Sequence, residues 1–74
     1  MAYYTLLTRE RPGLNWHPQF GDHVRSVVED ERDLACESQM GPARKNTHIL
    51  RTSSAHQHAI DAAIDALNGA GLHR

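Results

Sequence analysis

The sequence predicts a small α+β domain with element order ββαβα: a two-layer sandwich in which a three-stranded antiparallel sheet, order 2-1-3, carries two helices on one face. Three observations lead there. Tyr3-Tyr4-Thr5-Leu6-Leu7-Thr8 is a short run rich in aromatic and Thr side chains, and the turn signal Pro12-Gly13 separates it from a second extended segment. Two helical periodicities are separated by a third strand-like run, Thr47 to Thr52. A chain of 74 residues, 39% of them hydrophobic, can bury one core but not two, so residues 1–74 form a single domain.

The first strand, residues 2 to 8, is expected at the centre of the sheet. In the following turn Pro12 presets φ at the first central position and Gly13 accepts the positive φ that a type II turn requires next. The second strand, Asn15 to Phe20, places Trp16, Pro18 and Phe20 on one face by alternation, and Pro18 has no N–H to give a neighbour, so this strand belongs at an edge. Asp22 is expected to N-cap a first helix ending near Ser38, since its carboxylate accepts orphan N–H groups. On that helix Val24, Val27, Val28, Leu34 and Ala35 form one stripe, while Asp22, Glu29, Asp30, Asp33 and Glu37 form the opposite one. Arg25 and Arg32 flank the acids and can pair with Glu29. Ser54-Ala55-His56-Gln57 has the form of a capping box, which opens a second helix that closes at Asn68 with Gly69 in the C′ position and fraying beyond. The core expected from these patterns is Leu6, Val24, Val27, Val28, Leu34, Ile49, Ile60, Ile64 and Leu67.

Eight Lys plus Arg against nine Asp plus Glu leave a net charge of −1, which lacks the cationic excess of a general polyanion binder. One cysteine, Cys36, cannot close an intramolecular bridge, and Met1 to Leu7 has neither the basic start nor the apolar length of a signal peptide. No run approaches the ~20 apolar residues of a membrane span. The expectation is a cytoplasmic module that does not associate with membranes.

Six histidines invite a metal hypothesis that their spacing does not support. His56 and His58 point about 200° apart on a helix, and His17, His23, His48 and His73 show no paired spacing. His58, Asp61 and Asp65 share a face; this is the one arrangement that would suit a metal or a small hydrolase, and a solvated helix face explains it far better. Cys36 sits beside the acidic stripe, where carboxylates blunt a thiol, and Ser53 and Ser54 fit capping better than catalysis. Neither catalytic residues nor a metal or other cofactor is expected. Glu31 is the exception to the pattern, because it falls within the apolar stripe of the first helix and needs a partner such as Arg9, Arg51 or a tyrosine hydroxyl, a place where the helix overhangs the sheet, or else a functional role in a pocket.

Charge is segregated along the chain. Residues 22–38 hold six acids and two arginines, net −4, and residues 39–52 hold Arg44, Lys45 and Arg51, net +3. A row of carboxylates at Asp22, Glu29, Asp30, Asp33 and Glu37 resembles a short phosphate backbone in charge and reach, and would fit a basic groove built for nucleic acid. The expected function is therefore a non-enzymatic binding protein that blocks the nucleic-acid-binding surface of a protein or ribonucleoprotein complex. The alternative is a nucleic-acid accessory protein whose Arg44, Lys45 and Arg51 contact phosphates. The alanine strip of the second helix and the exposed face of a short sheet also offer surfaces for a homodimer.

Through Trp16-His17-Pro18-Gln19-Phe20-Gly21-Asp22, the acidic helix after it, the strand His48 to Thr52 and the closing Ile60 to Asn68, most of the chain resembles small uncharacterised proteins of phages and prophages. That group brings no established activity to assign residue by residue. What the resemblance implies is a phage or mobile-element accessory protein that binds and inhibits a host machine, as anti-CRISPR proteins do, in the host cytoplasm.

Overall fold

The computed structural model describes residues 2–72, with burial and side-chain contacts through residue 69. In chain order it contains β1 (Tyr3–Thr8), β2 (His17–Asp22), α1 (Arg25–Glu37), one 3-10 turn (Arg44–Asn46), β3 (Thr47–Thr52) and α2 (Gln57–Leu72). β1 is central and antiparallel to both neighbours, in the order β2-β1-β3. The expected small α+β fold, strand order and element order are all present. In the β1–β2 connection the Leu14 N–H donates to the Arg11 carbonyl at 3.2 Å, with Pro12 and Gly13 between them and Gly13 at φ +93°.

Leu6 and Leu7 are consecutive in β1 and are 3% and 0% exposed. Successive strand residues point to opposite faces, so both are buried only if each face of β1 is covered. Leu7 packs with Ile60 and Ile64 of α2, joined by Tyr3, Trp16, Leu50 and Leu67. On the other face Leu6, Thr8 and Phe20 line a cavity closed by Glu31 and Ala35 of α1, and the Arg25 guanidinium lies 5.7 Å above the Tyr4 ring. The two helices are thus divided between the faces of the sheet, making three layers where the sequence suggested both helices on one side. The described part of the molecule measures 33 × 32 × 13 Å.

Several local expectations are corrected. β2 runs two residues further than expected because Gly21 and Asp22 still pair with Thr5 and Tyr4. Leu6 pairs with Phe20 and Leu7 with Pro18, so Gln19 is an extra residue on β2; this bulge turns Pro18 and Phe20 to opposite faces. Asp22 is not the helix N-cap: its Oδ1 accepts the Val24 N–H at 2.8 Å, and Val24 itself holds the cap position without a side-chain bond. In α2 the Gln57 amide donates to Asp61 Oδ1 at 2.7 Å instead of reaching back to Ser54, and Gly69 lies inside a helix that continues to Leu72. Residues 73 and 74 lie outside the described part of the chain.

The core is smaller than expected and differently faced. Leu6, Val28, Ile60 and Ile64 are buried and Ile49 and Leu67 half-buried, whereas Val24, Val27 and Leu34 are 51%, 38% and 63% exposed. α1 is rotated so that Val28 is fully buried, with half-buried Glu31, Arg32 and Ala35 at i+3, i+4 and i+7 from it. Arg32 tolerates this position because its aliphatic stem can lie along the sheet while its head reaches out.

Asn68 ties α2 to the start of β2. Its Oδ1 accepts the Trp16 N–H at 2.7 Å and its Nδ2 donates to the Trp16 carbonyl at 3.2 Å, which satisfies both backbone groups of one residue. Asn68→Ala leaves them part-buried and unpaired, so urea denaturation should show a loss of about 1–3 kcal/mol. Gly13→Ala should cost about 1 kcal/mol for backbone reasons alone, since nothing lies within 4 Å of a Cβ built there. Unchanged midpoints in both variants would contradict the hairpin and its anchor as described.

Candidate functional site

The five acids expected to form one free ridge have unequal surroundings. Asp22 is half-buried at the end of β2 and occupied with the Val24 N–H. Glu29 accepts from Arg25 at 3.2 Å, the pair expected at four-residue spacing. Arg32 bonds not Glu29 but Asp33, at 3.2 Å, and Arg44 reaches Asp33 from the 3-10 turn at 3.0 Å. Asp30 and Glu37 are exposed and make no hydrogen bond or ion pair with any described residue. The chain's own arginines therefore engage two of the five carboxylates, and a backbone amide engages a third.

The basic set is dispersed in the same way. Arg44 is held by Asp33, while Lys45 and Arg51 are exposed. Lys45 lies in the 3-10 turn before β3 and Arg51 four residues along the strand from Thr47, which alone spans roughly 13 Å at about 3.3 Å per residue. The three cations are not gathered into one phosphate-binding patch.

Two of the histidines make ring contacts. His23 meets the Tyr3 ring edge-on at 4.9 Å, and His48 lies 5.7 Å from Trp16. Among the described residues no group of three or more His, Cys, Asp or Glu is arranged to hold a metal, and Asp61, one of the three residues considered for such a site, is bonded to Gln57. Cys36 is a half-buried free thiol. His73 lies outside the described residues.

A cavity of about 720 Å³ lies against α1. It opens between the α1 face of the sheet and the carboxyl-terminal half of α1, where Leu6, Phe20 and Ala35 supply an apolar floor and Glu10, His17, Glu31 and Met40 stand around it. Glu31 bonds none of the described residues, so the partners considered for it from sequence do not serve. Arg9, which also lines the cavity, is committed elsewhere: its Nε donates to Asn46 Oδ1 and its Nη2 to the Lys45 carbonyl, both at 3.2 Å, and its guanidinium stacks 4.3 Å from the Trp16 ring. Sequence reading singled out Glu31 but missed Glu10 and His17 as its neighbours. The signal lay in the hairpin, since Thr8 pairs with His17 and Glu10 follows two residues on.

No family model, curated protein or solved structure matches the chain. Resemblance to phage proteins therefore rests on the residue pattern alone. No helix among the described residues is long and apolar enough to cross a membrane.

The clamp on Asp33 has a measurable consequence. The Arg32 hydrogen bond is the main force holding this carboxyl below the usual aspartate value; partial desolvation opposes it, and Arg44 adds to the depression. A depressed folded pKa stabilises the fold above the unfolded value, near ~3.9, and that contribution disappears as pH falls through the folded value. The Asp33 carboxyl, followed by NMR, should titrate below ~3.9, shift up in Arg32→Ala and shift up less in Arg44→Ala. A midpoint insensitive to both substitutions would remove the clamp from the description.

Proposed function

We propose that this chain is a non-enzymatic binding protein that docks on another protein through the outward edge of α1. The observation that carries this reading is the exposure of Val27 and Leu34, seven residues apart on one side of α1, with Val24 at its N-cap and Met40 three residues past its end also exposed. At about 100° per residue, moving outward from the sheet, one meets Glu31, then Val27 and Leu34, then Asp30 and Glu37. An apolar ridge bordered by two unengaged carboxylates is the composition of a docking surface, with buried contact in the middle and charge at the rim.

Such a surface selects a partner with an apolar groove edged by Lys or Arg, because the rim acids steer approach and fix orientation while the ridge supplies contact area. A host complex that holds nucleic acid in a basic groove meets this description. In that narrower reading, which the phage resemblance supports, Asp30 and Glu37 stand where phosphates would, and the chain acts as an inhibitor. Asp22, Glu29 and Asp33 contribute less, because each already has an intramolecular partner.

Because Val27 and Leu34 are exposed, replacing both with serine should leave the far-UV CD unchanged and shift stability by no more than about 0.5 kcal/mol per site. The same double variant should lose the protein that wild type captures specifically from lysate of its native host. Asp30→Lys with Glu37→Lys should weaken capture most at low salt, since rim charges act chiefly on association. Undiminished capture by the serine variant would exclude α1 as the docking element.

A further inference from the structure

We infer that the cavity between α1 and the sheet receives the end of a lysine or arginine side chain projecting from the docked partner, an inference that rests on the docking reading above. Its volume of about 720 Å³ lies in the range of ligand-holding clefts. The chemistry of its lining selects an aliphatic cation. Leu6, Phe20 and Ala35 form a floor for a hydrocarbon stem, and Glu31 and Glu10 bring two carboxylates to the same opening.

Glu31 is the decisive group. It occupies the sheet-facing side of α1, three residues after fully buried Val28 and four before Ala35, and its half-buried side chain lines the cavity without a hydrogen-bond or ion-pair partner among the described residues. The nearby cations do not satisfy it. Arg9 is spent on Asn46, the Lys45 carbonyl and the Trp16 face, and Arg32 and Arg44 are spent on Asp33. A cation from outside would complete the site.

The position of the cavity favours a protein side chain over a free amine. Glu31, which lines it together with Met40, has exposed Val27 four residues before it and Leu34 three residues after it on α1, so the ridge neighbours this carboxylate. A free amine would satisfy the acids but leave that ridge in water, whereas a protruding Lys or Arg flanked by apolar residues covers both. Long cationic side chains combine an apolar stem with a charged tip, as this lining requires.

The test is a titration of the isotopically labelled full chain with Nα-acetyl-arginine methylamide, its lysine counterpart, and the neutral citrulline analogue. Saturable NMR shifts are expected at Leu6, Phe20, Glu31 and Ala35 with the two cations and not with citrulline. Glu31→Gln should weaken binding about three- to fivefold, the scale of one partly exposed charge pair, while Asp65→Asn on the exposed face of α2 leaves it unchanged. Absence of saturable shifts, equal response to citrulline, or indifference to Glu31→Gln would overturn the cavity assignment. Capture of the partner separates the two readings: loss in both the Val27/Leu34 serine variant and Glu31→Gln supports the anchor, and loss in the serine variant alone keeps the docking face and rejects it.

Discussion

The burial of two adjacent leucines in the central strand is the constraint from which the architecture follows. Leu6 and Leu7 each remove a large apolar side chain from water, roughly 1.5–3 kcal/mol apiece, and they do so in opposite directions. A three-stranded sheet with one helical layer would have left one of them exposed. Placing α1 over Leu6 and α2 over Leu7 resolves this, and the division of the core into two halves follows from it.

That division explains why the surface of α1 has its composition. A sheet about three strands wide contacts only a narrow stripe of each helix, so a broad apolar face cannot be buried by it in full. Val28 takes the centre of the stripe, Ala35 allows close approach, and the remaining large apolar groups of α1 stay outside. The backbone after the helix is drawn in tightly as well: the Gly41 N–H bonds the Ser38 carbonyl at 2.9 Å, and a Cβ at Gly41 would collide with the Ala35 carbonyl. This close passage brings Met40 and Pro42 to the edge of the cavity.

Much of the fold was legible because it is written in local chemistry. β3 spans the residues its β-branched and apolar content indicated, Gly13 has the positive φ that its place after Pro12 demands, and Pro18 lies on an edge strand. What could not be read depends on three-dimensional competition. The bulge at Gln19 has no local signature, so the faces of Pro18 and Phe20 were misassigned. The rotation of α1 was misjudged because Val24, Val27 and Leu34 suit a buried stripe as well as Val28 does, and only a narrow sheet decides among them. Of the candidate site, Glu31 stood out as a carboxylate on an apolar face, but Glu10 and His17 reach it only through the hairpin.

The acidic helix shows why a run of like charge is a poor guide to free charge. Six acids between residues 22 and 38 would repel one another if all stood in water with nothing between them. Arg25 and Arg32 lie within the same run, and Arg44 arrives from the turn that α1 packs beside, so the charge is relieved most where helix and turn meet. Asp33 becomes a tether between α1 and the segment leading into β3. Carboxylates recruited in this way are poorly placed to imitate phosphates, because binding a basic groove would require exchanging one arginine for another at little net gain. Free electrostatic attraction is left to the residues without such partners: Asp30 and Glu37 on the rim, and Glu31 at the cavity. These three bracket the apolar ridge on both sides, which makes the ridge and not the acidic run the feature a partner would recognise first.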